Sequence, residues 1–173
     1  MSEEFLTRCL DDKEKAEEMA EFSIPEDWYE EKALMRLRRD QCRNNPRYQI
    51  WCLRSVILCS SAEMVGHIGF HSEPNPEYLK NYSINGVEFG YTIFPKFRGN
   101  GYAMEAALGM MLWAKQIHHI EEFVITVSPS NLSSLAISKK MGFVKIGEHE
   151  DEADGLEEIH LLKSAALKNP LSL

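Results

Sequence analysis

A strand-like run, a turn with two glycines and a helix follow one another without a break between Val87 and about Gln116. Val87 to Phe94 is rich in β-branched and aromatic residues and reads as a strand. Pro95-Lys96-Phe97 leads into Arg98-Gly99-Asn100-Gly101-Tyr102-Ala103, after which Ala103, Ala106, Ala107, Met110 and Ala114 recur on one helical face. The first N–H groups of a helix have no backbone partner, and the helix dipole adds partial positive charge at that end. Gly99 and Gly101 remove side chains that would block close approach of a ligand to the backbone. Such a unit commits the chain to helices packed on a sheet, and it offers a seat for a phosphate or pyrophosphate.

The residues narrow the choice of phosphate ligand. A P-loop needs Lys followed by Ser or Thr after its last glycine, and Tyr102-Ala103 stands there instead. The dinucleotide fingerprint needs a third small residue where this chain has Met104. Taken alone, the turn also fits a helix start that needs glycine only to bend the chain. Its surroundings must decide.

The chain before the turn opens helical, with Glu3 to Leu10 reading as helix and Asp11 capping a second run through Met19 and Phe22 in capping-box spacing with Glu14. Pro25 suits the first turn of another helix towards Arg39, and Asn44-Asn45-Pro46 is a stop. Tyr48 to Leu58 and Met64 to His71 read as strands joined by a short hairpin connection. Ser72 to Gly86 reads as a long exposed loop. After the turn and its helix come a strand at Glu122 to Val127, a helix from Asn131 to Met141 closed by Gly142, and a final hairpin, Phe143 to Glu148 with Leu156 to Leu162, around Asp154-Gly155. No repeat or linker divides the chain, so a single domain over residues 1–173 is expected. Its class is α/β (α+β), with a mixed, mostly antiparallel central sheet flanked by helices.

Composition excludes several function classes. The 173 residues carry 27 acidic against 19 basic side chains, a formal net charge of −8, which argues against a nucleic-acid partner and favours cationic ligands. No stretch has the apolar length to cross a bilayer, and the acidic start lacks the regions of a signal peptide, so a cytoplasmic protein with no membrane partner is expected. Cys9, Cys42, Cys52 and Cys59 form no Cys-x-x-Cys pair and are not spaced with the histidines as metal ligands, so no metal and no redox role are expected.

With these elements in order, the chain resembles the GNAT superfamily of N-acetyltransferases. Arg98-x-x-Gly101-x-Ala103 matches that family's acyl-CoA motif between the required strand and helix. Asn131-x-x-Ser134 with Lys140-Met141-Gly142-Phe143 matches its second signature at the right distance downstream. The stretch Gly90-Tyr91 through Glu105-Ala106 looks particularly like the branch that contains ribosomal-protein N-terminal acetyltransferases. The match runs from about Tyr48 to Leu162, and its sharp motifs lie between Val87 and Phe143.

The resemblance implies acetyl-CoA as cosubstrate, no metal, and direct attack of an amine in a ternary complex. It implies a strand before the turn that splays from the next one, so that the main chain of Ile93 and Phe94 pairs with the pantetheine arm and an N–H there polarises the thioester carbonyl. Arg98, Gly99, Asn100, Gly101, Tyr102 and Ala103 would hold the pyrophosphate. Asn131 and Ser134 would meet the pantetheine amide, and Lys96, Lys139 and Lys140 are further phosphate candidates.

Glu88, on the strand that presents the thioester, is the expected base, directly or through water. Many relatives place a tyrosine acid seven residues after the motif asparagine. This chain has Ser138 there, a departure that leaves a weaker proton donor for the thiolate. The strand with which relatives usually begin is likewise not legible at Glu3 to Leu10. The family's substrate wall maps onto Trp28, Tyr29, Trp51, Phe70 and His71 with the Pro74–Tyr82 loop, an aromatic lining suited to a cationic amine such as a peptide amino terminus or a polyamine. A monomer or homodimer is expected. The competing reading is a non-catalytic acyl-CoA-binding regulatory module.

Overall fold

The computed structural model describes residues 1–151 and 155–167. The chain folds into two compact units that exchange segments: residues 1–71 with 91–102, and residues 72–90 with those from 103 onward. Among the described residues six strands, β1 (Arg54–Leu58), β2 (Glu63–Phe70), β3 (Gly86–Ile93), β4 (Glu122–Val127), β5 (Val144–Asp151) and β6 (Gly155–Lys163), run in the order β1-β2-β3-β4-β6-β5, a mixed and mostly antiparallel arrangement.

In the first unit, α1 (Glu3–Asp11) starts on Ser2, whose hydroxyl accepts from Phe5 N at 3.1 Å. The next helix, α2 (Lys13–Met19), is capped by Asp12, not Asp11, because α1 runs one residue further than its pattern suggests. Beyond Pro25 the expected single helix is two, α3 (Glu26–Glu30) and α4 (Lys32–Asn44), separated by Glu31 with ψ of 35°. The expected strand from Tyr48 begins only at Arg54. Asn45 caps a 3-10 turn over Pro46–Ile50, and the buried Tyr48 hydroxyl donates to Phe70 O at 2.6 Å. Aromatic content mimicked a strand there.

β1 (Arg54–Leu58) pairs antiparallel with β2 (Glu63–Phe70), from Arg54↔Ile68 to Leu58↔Glu63. β2 is buried from Met64 to Phe70. Gly66 is required on it, since an added Cβ would stand 2.1 Å from Thr92 O. That contact brings the end of β3 (Gly86–Ile93) hard against β2.

In the second unit, the start of β3 pairs in parallel with β4 (Glu122–Val127). β4 pairs antiparallel with β6 (Gly155–Lys163), and β6 with β5 (Val144–Asp151). Helix α5 (Tyr102–His118) buries Ala103, Ala107, Met110, Met111 and Ala114, close to the expected face. The loop before β3 is less exposed than its Pro and Asn content suggests. Leu79 is buried with Val124 and Ile159, and Ser83 donates to Glu122 Oε2 at 2.6 Å. Of the expected hairpin turn, Asp154 lies outside the described residues, while Gly155, with φ of 74°, opens β6.

Candidate functional site

The glycine turn owes its shape to backbone conformation. Gly99 and Gly101 adopt φ of 80° and 84°, the left-handed region that glycine enters without penalty, and an added Cβ at either would meet nothing within 4 Å. Glycine is there for the bend, and the space around it is open. Asn100 Nδ2 ties the turn by donating to Phe97 O at 3.0 Å and Arg98 O at 3.2 Å. Arg98 Nε donates to Ile93 O at 2.9 Å, so the guanidinium clamps the turn onto the end of β3. Tyr102 opens α5 and Ala103 is buried beneath it. Lys96 pairs with Glu63 Oε1 at 3.2 Å and covers the Phe97 ring.

Ile93 and Phe94 end the strand as buried residues. The expected unpaired main chain is corrected for two groups: Phe94 N donates to Val65 O at 3.0 Å, and Ile93 O is taken by Arg98. The physical cause is Gly66, which lets β2 follow β3 to its end.

The second unit shows where the parallel ladder stops. β3 and β4 pair through Gly86↔Glu122, Val87↔Phe123 and Glu88↔Val124, and the register extends no further, whereas β4 stays paired with β6 through Val127↔Glu158. Glu88 occupies this fork. It is 5% exposed, and its Oε1 accepts from Thr126 Oγ1 at 2.7 Å, a contact that aims the carboxylate. Sequence reasoning missed Thr126, whose only signal is a hydroxyl within the apolar run from Phe123 to Val127.

Helix α6 (Leu132–Met141) is fixed at both ends. Asn131 Oδ1 accepts from Ser134 N at 3.1 Å, and Gly142 closes the helix in the left-handed conformation. The motif asparagine therefore spends its side-chain oxygen on the cap. The motif serine contributes its backbone N–H to the same cap.

Ser138 is fully buried, with Oγ 3.1 Å from His160 Nδ1, and His160 Nε2 lies 3.0 Å from Glu158 Oε2. Lys145 and then His160 hold the Glu158 carboxyl below its usual range. Which atom donates between Ser138 Oγ and His160 Nδ1 depends on the tautomer of the ring. Ser138, expected as the acid, is thereby tied to β6 in the interior. His160 and Glu158 were not legible as its partners, because strand and helix meet only in the fold.

The expected aromatic wall divides. Trp28, Trp51 and Phe70 are core residues at 0%, 4% and 0% exposure, and Trp51 packs edge-on to Phe70 at 5.2 Å. They lie inside because each large ring gains most from complete burial. Tyr29 is half-buried under Lys13 Nζ at 4.7 Å, and burial pushes its phenol up. His71 is half-buried, and its carbonyl accepts from Arg38 Nη1 at 3.1 Å.

Sequence reasoning passed over His67, the lone titratable residue of the buried run on β2. Its ring stands edge-on to Trp28 at 5.3 Å and to Phe94 at 6.2 Å. Burial, then the nearby Arg38 charge, lowers its pKa to about 4.

Among the described residues no group of three or more His, Cys, Asp or Glu could hold a metal ion, and no helix is long and apolar enough to cross a membrane. Gly99 and Gly101 leave the turn before α5 open, an arrangement suited to an anion. Known proteins similar to this chain are acetyltransferases. The uncharacterized N-acetyltransferase YnaD of Bacillus subtilis is 27% identical over 92 residues, 53% of this chain and 49% of that protein. The FsC-acetyl coenzyme A-N(2)-transacetylase of Aspergillus fumigatus is 26% identical over 103 residues, 57% of this chain and 44% of that protein. The chain thus spans about half or less of the length of the curated relatives it matches. A spermidine N-acetyltransferase from Vibrio cholerae shares the fold, with a TM-score of 0.61 at 13% identity over 78% of this chain and 77% of that one. A family model described as acetyltransferase (GNAT) domain matches residues 3–144, and the chain belongs to that family.

Proposed function

We propose that this protein is an N-acetyltransferase, a single functional domain that moves an acetyl group from acetyl-CoA to a primary amine. The observation that carries the reading is the β3–β4 ladder ending at Glu88↔Val124, on the strand that leads into the left-handed glycine turn. Gly99 and Gly101 keep the turn open for the pyrophosphate, the first N–H groups of α5 face it, and Arg98 braces it against Ile93. Asn131 offers its amide NH2 to a pantetheine carbonyl. Bound acetyl-CoA supplies an acyl group on a thiolate leaving group.

Glu88, aimed by Thr126, accepts the proton that the amine must shed. The carboxylate is buried, so the transfer to it from the surface runs through water. Ser138 serves α6 and β6 as a structural tie, and the thiolate leaves without a dedicated side-chain acid. For the acceptor we favour a cationic amine, a polyamine or a peptide amino terminus. The net charge of −8 supports this, as does the spermidine acetyltransferase that shares the fold. A ribosomal-protein amino terminus is one member of that class.

The test is thiol release from acetyl-CoA across an amine panel, with Glu88→Gln as the paired variant. Amine-dependent release is expected, with kcat in the variant lower by about a hundredfold, the usual range for a lost general base. Tight acetyl-CoA binding with no amine dependence would instead identify a non-catalytic acyl-CoA-binding regulatory module.

A further inference from the structure

His67 is a buried polar residue whose needs the fold leaves unmet. It is 4% exposed, and among the described residues neither Nδ1 nor Nε2 has a hydrogen-bond partner. Buried polar atoms are almost always paired, so an orphaned ring on a fully packed strand calls for a partner from outside the chain. Trp28 does not compete for that partner, because its indole N–H already meets Cys9 Sγ at 3.3 Å.

The groups facing the ring define what the partner is. Glu31 Oε1 stands 4.0 Å from His67 Nε2, too far for a direct hydrogen bond. The Trp28 and Phe94 rings stand at 60° and 63° to the imidazole, and Arg38 lies close enough to repel a positive charge on it. A ring kept neutral in this way offers a lone pair on one nitrogen. Two acceptors 4.0 Å apart suit a single nitrogen that donates to both: at about 2.9 Å from each, the angle at that nitrogen is roughly a right angle. A primary amine has the two hydrogens this needs. A hydroxyl has one, and a carboxylate or phosphate would be repelled by Glu31. The Glu31 side chain is 37% exposed, which places the carboxylate at the surface end of the pair, where it can recruit a charged amine.

We propose that His67 and Glu31 form the acceptor-amine subsite, holding the nitrogen to be acetylated between the imidazole and the carboxylate, against Trp28 and Phe94. The assignment rests on the acetyltransferase reading above, since Phe94 ends the strand given there to the acyl donor. Neither residue belongs to the expected aromatic wall.

The experiment labels the full chain with 15N-histidine and titrates it with spermidine, and separately with a tripeptide amide, in the presence of CoA. The His67 ring nitrogens are expected to shift saturably with either amine. In turnover, His67→Phe, which keeps the aromatic packing, is expected to raise the amine KM by about tenfold or more while the acetyl-CoA KM stays within about twofold, the signature of one lost binding interaction. Glu31→Gln is expected to raise the amine KM in the same direction. If wild-type protein turns over amines but the ring signals stay fixed and His67→Phe matches its amine KM, the subsite is overturned and the acetyltransferase reading stands. If the ring signals move while no amine accelerates thiol release, the amine site holds and the acetyltransferase reading falls. Fixed ring signals with every amine would show a histidine that holds only a trapped water, and would overturn the subsite whatever the activity. The labelled native chain decides the matter even where His67→Phe fails to fold.

Discussion

Acidification should weaken this protein through His67, by an amount set by where the ring sits. The unfolded chain binds a proton at the ordinary imidazole pKa of 6.5, whereas the folded chain binds it only near about 4, because burial and then Arg38 disfavour the imidazolium. Stability from this residue is therefore complete above pH 6.5, and it is lost as the pH falls from there towards 4. At ~1.36 kcal/mol per pKa unit, the whole loss is about 3 kcal/mol, and about 2 kcal/mol of it is gone by about pH 5. Urea unfolding of wild type and His67→Phe at about pH 7.5 and about pH 5 isolates the contribution, since carboxylate titrations common to both cancel in the difference. Wild type should lose about 2 kcal/mol more than the variant over that interval. Glu31, 4.0 Å away, is the group that could neutralise a protonated ring. Were it to do so, the two proteins would lose stability in parallel, and that result would refute the reasoning.

Gly101→Ala forces a side chain into φ of 84° with nothing nearby to clash. It should cost about 1–2 kcal/mol of stability from backbone strain and reduce the thermal stabilisation given by CoA, both read in a melting curve with and without CoA. Ser138→Ala leaves His160 Nδ1 buried without its partner at 3.1 Å and should cost about 1–3 kcal/mol in urea unfolding. Its kcat should stay within about threefold of wild type, because the hydroxyl faces His160 and not a reacting group. A much larger fall in kcat would restore the acid role.

The fold was legible wherever local patterning and tertiary packing agree. The β3–turn–α5 unit, β4 and α6 with its Gly142 cap follow from alternation, helical period and cap chemistry, all written within a few residues. The failures have a common cause. Tyr48 and Trp51 look like strand residues because they are aromatic, yet Asn45 and Pro46 set a 3-10 turn and the rings are buried from there. The break at Glu31 carries no Gly or Pro to announce it. The buried Leu79 sits in a segment whose prolines and asparagines describe only its backbone.

The site was legible in its backbone and not in its polar contacts, and the difference is physical. A glycine turn on a helix start is a local device, so Gly99 and Gly101 could be read directly. Whether Phe94 N–H is available depends on Gly66, a residue 28 positions away whose missing Cβ lets β2 close on β3. That Ser138 is buried and partnered by His160, 22 residues on, is visible only in the fold. His67 runs the other way: in sequence it is one more residue of an apolar strand, and only the fold shows that nothing among the described residues satisfies it. Helix and strand signals encode what a residue does for its neighbours in sequence. A polar group's function is set by what remains unsatisfied once all neighbours in space are counted, and in this chain part of that remainder falls on His67, beside the end of the strand assigned to the acyl donor.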